Sequence, residues 1–209
     1  MTTPPARGGS FPWRGRVLRK GPGPASTANV ANVVTVLRIL LAPVFIAMLL
    51  VDGGDDGSLR LAAAVLFVVA ILTDSLDGML ARGLDLVTDF GKLVDPIADK
   101  VLVGGALVAL TILGELPWWV TALILLREVG ITVYRFAVLR DRVIPASRGG
   151  KAKTVLQAVA VTLALFPWWH LVGEAAHVVN TVTMTLAVVA TLASGADYVR
   201  VAVKHGRNA

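Results

Sequence analysis

Four aspartates fall in two spaced pairs near the middle of the chain: Asp74 and Asp77, three residues apart, and Asp95 and Asp99, four apart. Spacings of three and four put side chains on one face of a helix, so each pair can present both carboxylates in one direction. Gly78 and Ala81 extend the first face and Gly91 precedes Asp95 by one turn, so small residues border the acids and allow a ligand or backbone to come close. Hard oxygen donors with no cysteine or histidine beside them suit Mg²⁺ or Mn²⁺, ions that commonly join carboxylates to phosphates. Two such ions would formally neutralise the four carboxylates. The alternative is a set of folding salt bridges to Lys92, Lys100 or Arg82. Against it stand the repeated paired spacing and the small net gain that buried ion pairs bring.

What must position these acids is a set of apolar helices. Of 209 residues, 56% are hydrophobic and 16% charged, and the mean hydropathy is +0.73, which excludes an ordinary soluble globule. With no cysteine, disulfide scaffolds, thiol nucleophiles and iron-sulfur clusters are excluded as well. A net charge of +6 would suggest nucleic acid in a soluble chain; here it bears on membrane orientation, and no nucleic-acid partner is expected. Apolar runs recur at roughly 30–51, 59–82, 93–113, 117–139, 153–171 and 176–203, each long enough to cross about 30 Å of hydrocarbon as a helix. The fold class expected is therefore an all-α integral membrane protein of six transmembrane helices. Residues 1–28 form a basic, Pro- and Gly-rich cytoplasmic tail, expected to be disordered; 29–205 are the membrane domain and 206–209 a C-terminal tail.

The loops VDGGDDGS, GELP and HLVGEA contain no Lys or Arg, whereas the remaining loops and both ends hold most of them, so both termini are expected to be cytoplasmic. Arg60 is the exception, near the outer end of the second span, where it is expected to snorkel to headgroups. Trp118, Trp119, Trp168 and Trp169 fall near proposed outer ends, as an aromatic belt or as packing residues. His170 and His177 lie there too and are read as interfacial polarity. At the other side, the short 83–90 connection makes the second and third spans antiparallel neighbours, so that all four carboxylates can converge. Pro96 either occupies the first turn of the third span, with Asp95 as N-cap, or kinks it. Charges inside a bilayer cost about 2.5–3.5 kcal/mol each near its centre, so the acids require compensation.

Two basic groups complement them. Asn32, Thr35 and Arg38 recur at three-residue spacing on one side of the first span; a Thr bonded back to its own helix and a snorkelling Arg are the alternative. Arg127 and Arg135, eight apart on the fourth span, can point the same way, and Ser147, Arg148, Lys151 and Lys153 follow before the fifth. Guanidinium forks bind phosphate oxygens bidentately, so these residues suggest a phosphorylated acceptor. The competing reading pairs Arg127 with Glu128 and leaves the loop charges as markers of the cytoplasmic side.

The run Asp74-x2-Asp77-Gly78-x2-Ala81-Arg82-x8-Gly91-x3-Asp95-x3-Asp99 resembles, at every fixed position, the signature of the CDP-alcohol phosphotransferases. The resemblance implies a six-helix membrane enzyme of phospholipid biosynthesis, commonly a homodimer. It implies that Asp74, Asp77, Asp95 and Asp99 bind two Mg²⁺ (or Mn²⁺) ions and that Asp99 is also the catalytic base. Gly78 and Ala81 would make room for the nucleotide of a CDP-linked lipid, Arg82 would lie near its phosphates, and Asn32 and Thr35 would contact nucleotide or diphosphate. The stretch from Arg127-Glu128 to Ala146-Ser147-x2-Gly150-Lys151-x-Lys153-Thr154-x2-Gln157 is similar to the bacterial phosphatidylglycerophosphate synthase branch of the family. That branch joins CDP-diacylglycerol and sn-glycerol 3-phosphate, on the cytoplasmic face of the plasma membrane, and releases CMP. Branches using inositol phosphate, or phosphatidylglycerol as in cardiolipin synthesis, are the nearest alternatives. Outside the family, a cation transporter would also place carboxylates in a membrane, although the acidic motif has no inverted repeat.

Overall fold

The computed structural model describes residues 30–83, 89–138 and 148–206, with side chains described within 32–74, 94–95, 97–134 and 152–200. Among these residues all regular secondary structure is helical. Six long helices coincide with the six apolar runs: α1 (Val30–Asp52), α2 (Ser58–Gly83), α3 (Asp89–Ile112), α4 (Trp118–Val138), α5 (Arg148–Leu165) and, after a single turn α6 (Trp169–Val172), the long α7 (Glu174–Gly206). By length and composition, Asn32–Asp52 and Glu174–Arg200 are able to cross a membrane. Leucines and valines such as Leu40, Leu72, Leu126 and Val182 point outward from the bundle, as expected where lipid replaces water around it.

The turns follow from a few residues. Gly53 and Gly54 adopt positive φ after α1. The Asp52 carboxylate then accepts from the backbone N–H groups of Asp56, Gly57 and Arg60, satisfying donors that the start of α2 leaves without helical partners. Between α3 and α4, Gly114 at φ +77° lets Glu115 and Leu116 donate back to the Leu110 carbonyl, and Pro117 precedes the first residue of α4. The fifth apolar run was expected to continue to residue 171. Its helix instead stops at Leu165, because Pro167 has no N–H to extend the ladder.

Helix α1 packs against both α2 and α3, while α5 packs against α7, with α4 bridging α3 to α7. The antiparallel adjacency expected of α2 and α3 rests on the 83–90 connection and the helix ends beside it, whose side chains lie outside the described residues; α1 contacts both helices. Small residues allow this. A Cβ on Gly105 would stand 2.4 Å from Ile46 of α1, and one on Gly104 would stand 2.9 Å from Leu125 of α4, so adjacent glycines admit neighbours on two sides of α3. Phe45 and Phe67 seal the α1–α2 contact with ring centroids 5.4 Å apart. The N-cap reading of Asp95 is also corrected, since α3 begins six residues earlier, at Asp89, and runs through position 96.

Arg60 does not snorkel. It is the largest fully buried side chain among the described residues, and its guanidinium meets both Glu115 oxygens at 2.5 Å, the carbonyls of Leu165 and Ala164 at 3.0 Å and Asp56 at 3.2 Å. The Trp169 ring lies 4.8 Å away. A fork with that many partners inside the protein gains nothing by reaching for headgroups. Trp169 donates to Asp56 at 2.9 Å and stacks with His177, so this tryptophan is a packing residue, whereas Trp118 and Trp119 are exposed as a belt requires.

Candidate active site

The start of α1 carries the three polar residues that the sequence set on one side, and all three are buried: Asn32, Thr35 and Arg38 are 3–4% exposed. Because α1 packs against both α2 and α3, it reaches an acid on each. Thr35 donates to Asp95 of α3 at 2.6 Å. Arg38 pairs with Asp74 of α2 at 2.5 Å and donates to the Ala70 carbonyl at 3.3 Å. The alternatives of a threonine spent on its own helix and an arginine stretched to the surface are set aside by these contacts.

Asp74 and Asp99 line one cavity of about 170 Å³ together with Arg38, Lys100, Glu128 and Lys153. Beside the acids is a cationic group gathered around a single carboxylate: Glu128 accepts from Lys153 and from Arg127 at 2.7 Å, and Lys100 lies 3.5 Å away. Lys153 is buried at 3% exposure on α5, one turn before Gln157, which lines the same cavity and donates to Thr191 of α7 at 2.8 Å. Three cationic and three anionic side chains thus face a common space, an arrangement able to receive both phosphate oxygens and a cation.

Arg127 stands beside this group. Its fork is turned to Glu128 and to Ser194 of α7 at 2.5 Å, and its Nε is buried without a hydrogen-bond partner. The candidates Asp77, Gly78, Ala81, Arg82, Arg135, Ser147, Arg148 and Lys151 lie outside the residues with described side chains. Two lining residues, Lys100 and Glu128, had been read only as salt-bridge partners. The spacing of Lys153 and Gln157, four apart on one helix face, was a usable signal for the α5 wall; nothing in the spacing of Glu128 tells that cations from three positions meet it.

The donor chemistry suits a hard divalent ion, since the acidic wall offers carboxylate and hydroxyl oxygens with neither sulfur nor imidazole. Among the described residues no three carboxylates or imidazoles gather closely enough to hold one ion; Asp77, the fourth acid of the pattern, is outside them.

A helical bundle with this acidic motif at one end and a cationic group beside it in one cavity defines a class. The chain belongs to the CDP-alcohol phosphatidyltransferase family, whose model matches residues 28–193. It is 48% identical over 182 residues to a protein of Mycobacterium tuberculosis (strain H37Rv) named probable phosphatidylglycerophosphate synthase, covering 87% of this chain and 85% of that one. The CDP-diacylglycerol–glycerol-3-phosphate 3-phosphatidyltransferase of Bacillus subtilis (strain 168) is 39% identical over 147 residues, 66% of this chain and 76% of its own. One of the same name from Rickettsia felis is 33% identical over 185 residues, 85% of this chain and 97% of its own. Membership in this family sets aside the cation-transporter reading.

Proposed function

We propose that this chain transfers the phosphatidyl group of CDP-diacylglycerol to sn-glycerol 3-phosphate with release of CMP, the phosphatidylglycerophosphate synthase reaction. The observation that carries the reading is the single cavity in which Asp74 and Asp99 face Lys153, beside relatives that bear that name. Mg²⁺ or Mn²⁺ ions, two by the charge of the motif, would be held by Asp74, Asp77, Asp95 and Asp99 and would supply positive charge to the diphosphate and the departing CMP.

The residues divide the remaining work. Asn32, Thr35, Gly78, Ala81 and Arg82 receive the CDP-lipid, with Thr35 also orienting Asp95. Lys153, Arg127, Arg135, Ser147, Arg148 and Lys151 receive the acceptor phosphate, Glu128 holding the Lys153 ammonium in place. The Asp99 carboxylate takes the proton of the glycerol hydroxyl as that oxygen bonds to the β-phosphorus; the bond from the β-phosphorus to the oxygen of CMP breaks, and CMP leaves with the electron pair. The bundle crosses the bacterial plasma membrane six times as a homodimer, with both termini and the active site on the cytoplasmic side. Surrounding lipids are its solvent and its substrate pool.

The test is Mg²⁺-dependent CMP release by purified protein in mixed micelles with CDP-diacylglycerol, comparing glycerol 3-phosphate, inositol phosphate and phosphatidylglycerol. Selective turnover with glycerol 3-phosphate, abolished in Asp95→Asn, is the expected result. Turnover with another acceptor moves the chain to another branch, and full activity in Asp95→Asn removes the metal-ligand role.

A further inference from the structure

We propose that a second cavity, at the end of the bundle opposite the acidic motif, binds a membrane phospholipid whose headgroup ends in a primary ammonium. This cavity measures about 680 Å³, within the roughly 300–1,000 Å³ of ordinary ligand sites. It lies where α3 gives way to α4 and where α7 begins. Ile112, where α3 ends beside this cavity, is thirteen residues along from Asp99, about 20 Å at the helical rise, which separates the cavity from the transfer site.

Its composition is that of an amphipathic ligand's receptor. The floor is apolar, where Leu110, Leu116, Met184 and Val188 of the buried core reach the cavity, and an acyl chain there packs against a preformed apolar surface. The rim is polar. Asp56, Glu115 and Asn180 all line it, and the Asn180 side-chain oxygen is buried with no hydrogen-bond partner. A buried acceptor left unmatched costs about 1–3 kcal/mol, which a donor from the ligand removes.

Charge selects the headgroup. Asp56 and Glu115 line the rim, with Asp52, Asp55 and Glu174 at the same end, and the described basic groups there are Arg60, His170, 3.6 Å from Asp56, and His177, which also lines the cavity. Arg60 is already spent on Glu115, Asp56 and two carbonyls. An anionic headgroup is repelled by the surplus of carboxylates. An ammonium is attracted by them, and an N–H group can donate to the buried Asn180 oxygen, Glu115 having both oxygens on Arg60. A trimethylated ammonium has the charge but no N–H, so the site distinguishes the two.

The experiment uses the full-length protein in detergent micelles, with phosphatidylethanolamine, phosphatidylcholine and phosphatidylglycerol added separately. Retained lipid is read by native mass spectrometry and stabilisation by thermal unfolding. Phosphatidylethanolamine is expected to be retained at least ten-fold better than phosphatidylglycerol and to raise the Tm most. Thr181→Trp, which fills the rim, should abolish that retention with CMP release unchanged, and Asn180→Leu should erase the preference over phosphatidylcholine while leaving the protein folded. Equal retention of all three lipids, retention of none, or binding indifferent to Thr181→Trp overturns the proposal. So does conversion of a dimer to monomers by Thr181→Trp, which would make this face a subunit interface. Each readout is a binding measurement, so it stands or falls independently of the acceptor assigned to the transfer site.

Discussion

Two arginines, Arg38 and Arg60, are buried to the same degree at opposite ends of the bundle, yet their surroundings differ in kind. Arg60 is closed in: Glu115, Asp56, two backbone carbonyls and the Trp169 face surround its guanidinium. Arg38 pairs with Asp74, a carboxylate whose side chain is 44% exposed and which opens with Arg38 onto the cavity shared with Asp99 and Lys153. The first cluster spends its polar capacity on the protein and so fixes three connections to one another. The second is half exposed at Asp74 and opens beside Asp99 and Lys153. Charge buried in an apolar bundle is structural when the protein encloses it, and a candidate for chemistry when its partner is reachable from outside.

The sharpest way to break this contrast is at Asp99. Asp99→Asn should lower CMP release by about 10³-fold, within the range for loss of a general base, while the Tm of the purified protein stays within a few degrees of the parent. A large fall in Tm, with residual activity proportional to folded protein, would make Asp99 a structural acid and remove the distinction.

The reverse signature belongs to Arg60. Truncating one partner of a buried ion pair costs roughly 3–5 kcal/mol, because the other charge is left uncompensated. Arg60→Ala should therefore reduce the yield of monodisperse protein and lower its Tm strongly, and kcat per folded molecule should remain within two-fold. Adding Glu115→Ala should restore part of the loss, which a double-mutant cycle of Tm values reads directly. Additive losses would show that the pair is not the stabilising unit.

How much of this was legible from sequence depends on the range of the interaction. The long helices were visible because apolar periodicity is local, and the acidic motif was visible because its spacings of three and four lie within single helices. The placement of Asn32, Thr35 and Arg38 on one buried side followed from the same rule. Arg60 was misread because its partners, Glu115 and the Leu165 carbonyl, lie 55 and 105 residues along the chain, and no local rule brings three turns together. The packing of α1 against both α2 and α3 was likewise hidden. On the α3 side it depends on Gly105 turning towards Ile46, a matter of tertiary packing. Glu128 is the most instructive miss, since a lone carboxylate beside an arginine gave no sign that Lys100 and Lys153 also meet it.

Lys153 sharpens the comparison within the open cluster. A charge-assisted hydrogen bond to substrate is worth about 1.5–3 kcal/mol. Lys153→Gln should accordingly raise the KM for glycerol 3-phosphate some ten- to a hundred-fold and leave the KM for CDP-diacylglycerol nearly unchanged, as steady-state kinetics with each substrate varied will show. Equal increases in both would mean that Lys153 holds the bundle together through Glu128 and does not read the acceptor.

The smallest expected effect probes how Arg38 relates to a cation at the acids. The Arg38 guanidinium places positive charge 2.5 Å from Asp74 and is held there by the Ala70 carbonyl. A Mg²⁺ ion bound by Asp74 as proposed would have to share that carboxylate with it, so Arg38 would favour the metal-free protein and compete with the metal. Linkage fixes the sign: a group that favours the metal-free state lowers apparent metal affinity, and its removal raises that affinity while weakening the metal-free fold. Arg38→Gln, which keeps a donor but not the charge, should lower the Tm in the presence of chelator and enlarge the increase in Tm on adding Mg²⁺, with a few-fold gain in apparent affinity. A smaller Mg²⁺ increment than in the parent would show instead that Arg38 holds Asp74 in the orientation the ion requires. In that case the arginine at this end, like Arg60 at the other, would serve to fix a carboxylate, and the two clusters would differ only in whether that carboxylate is offered to a metal ion.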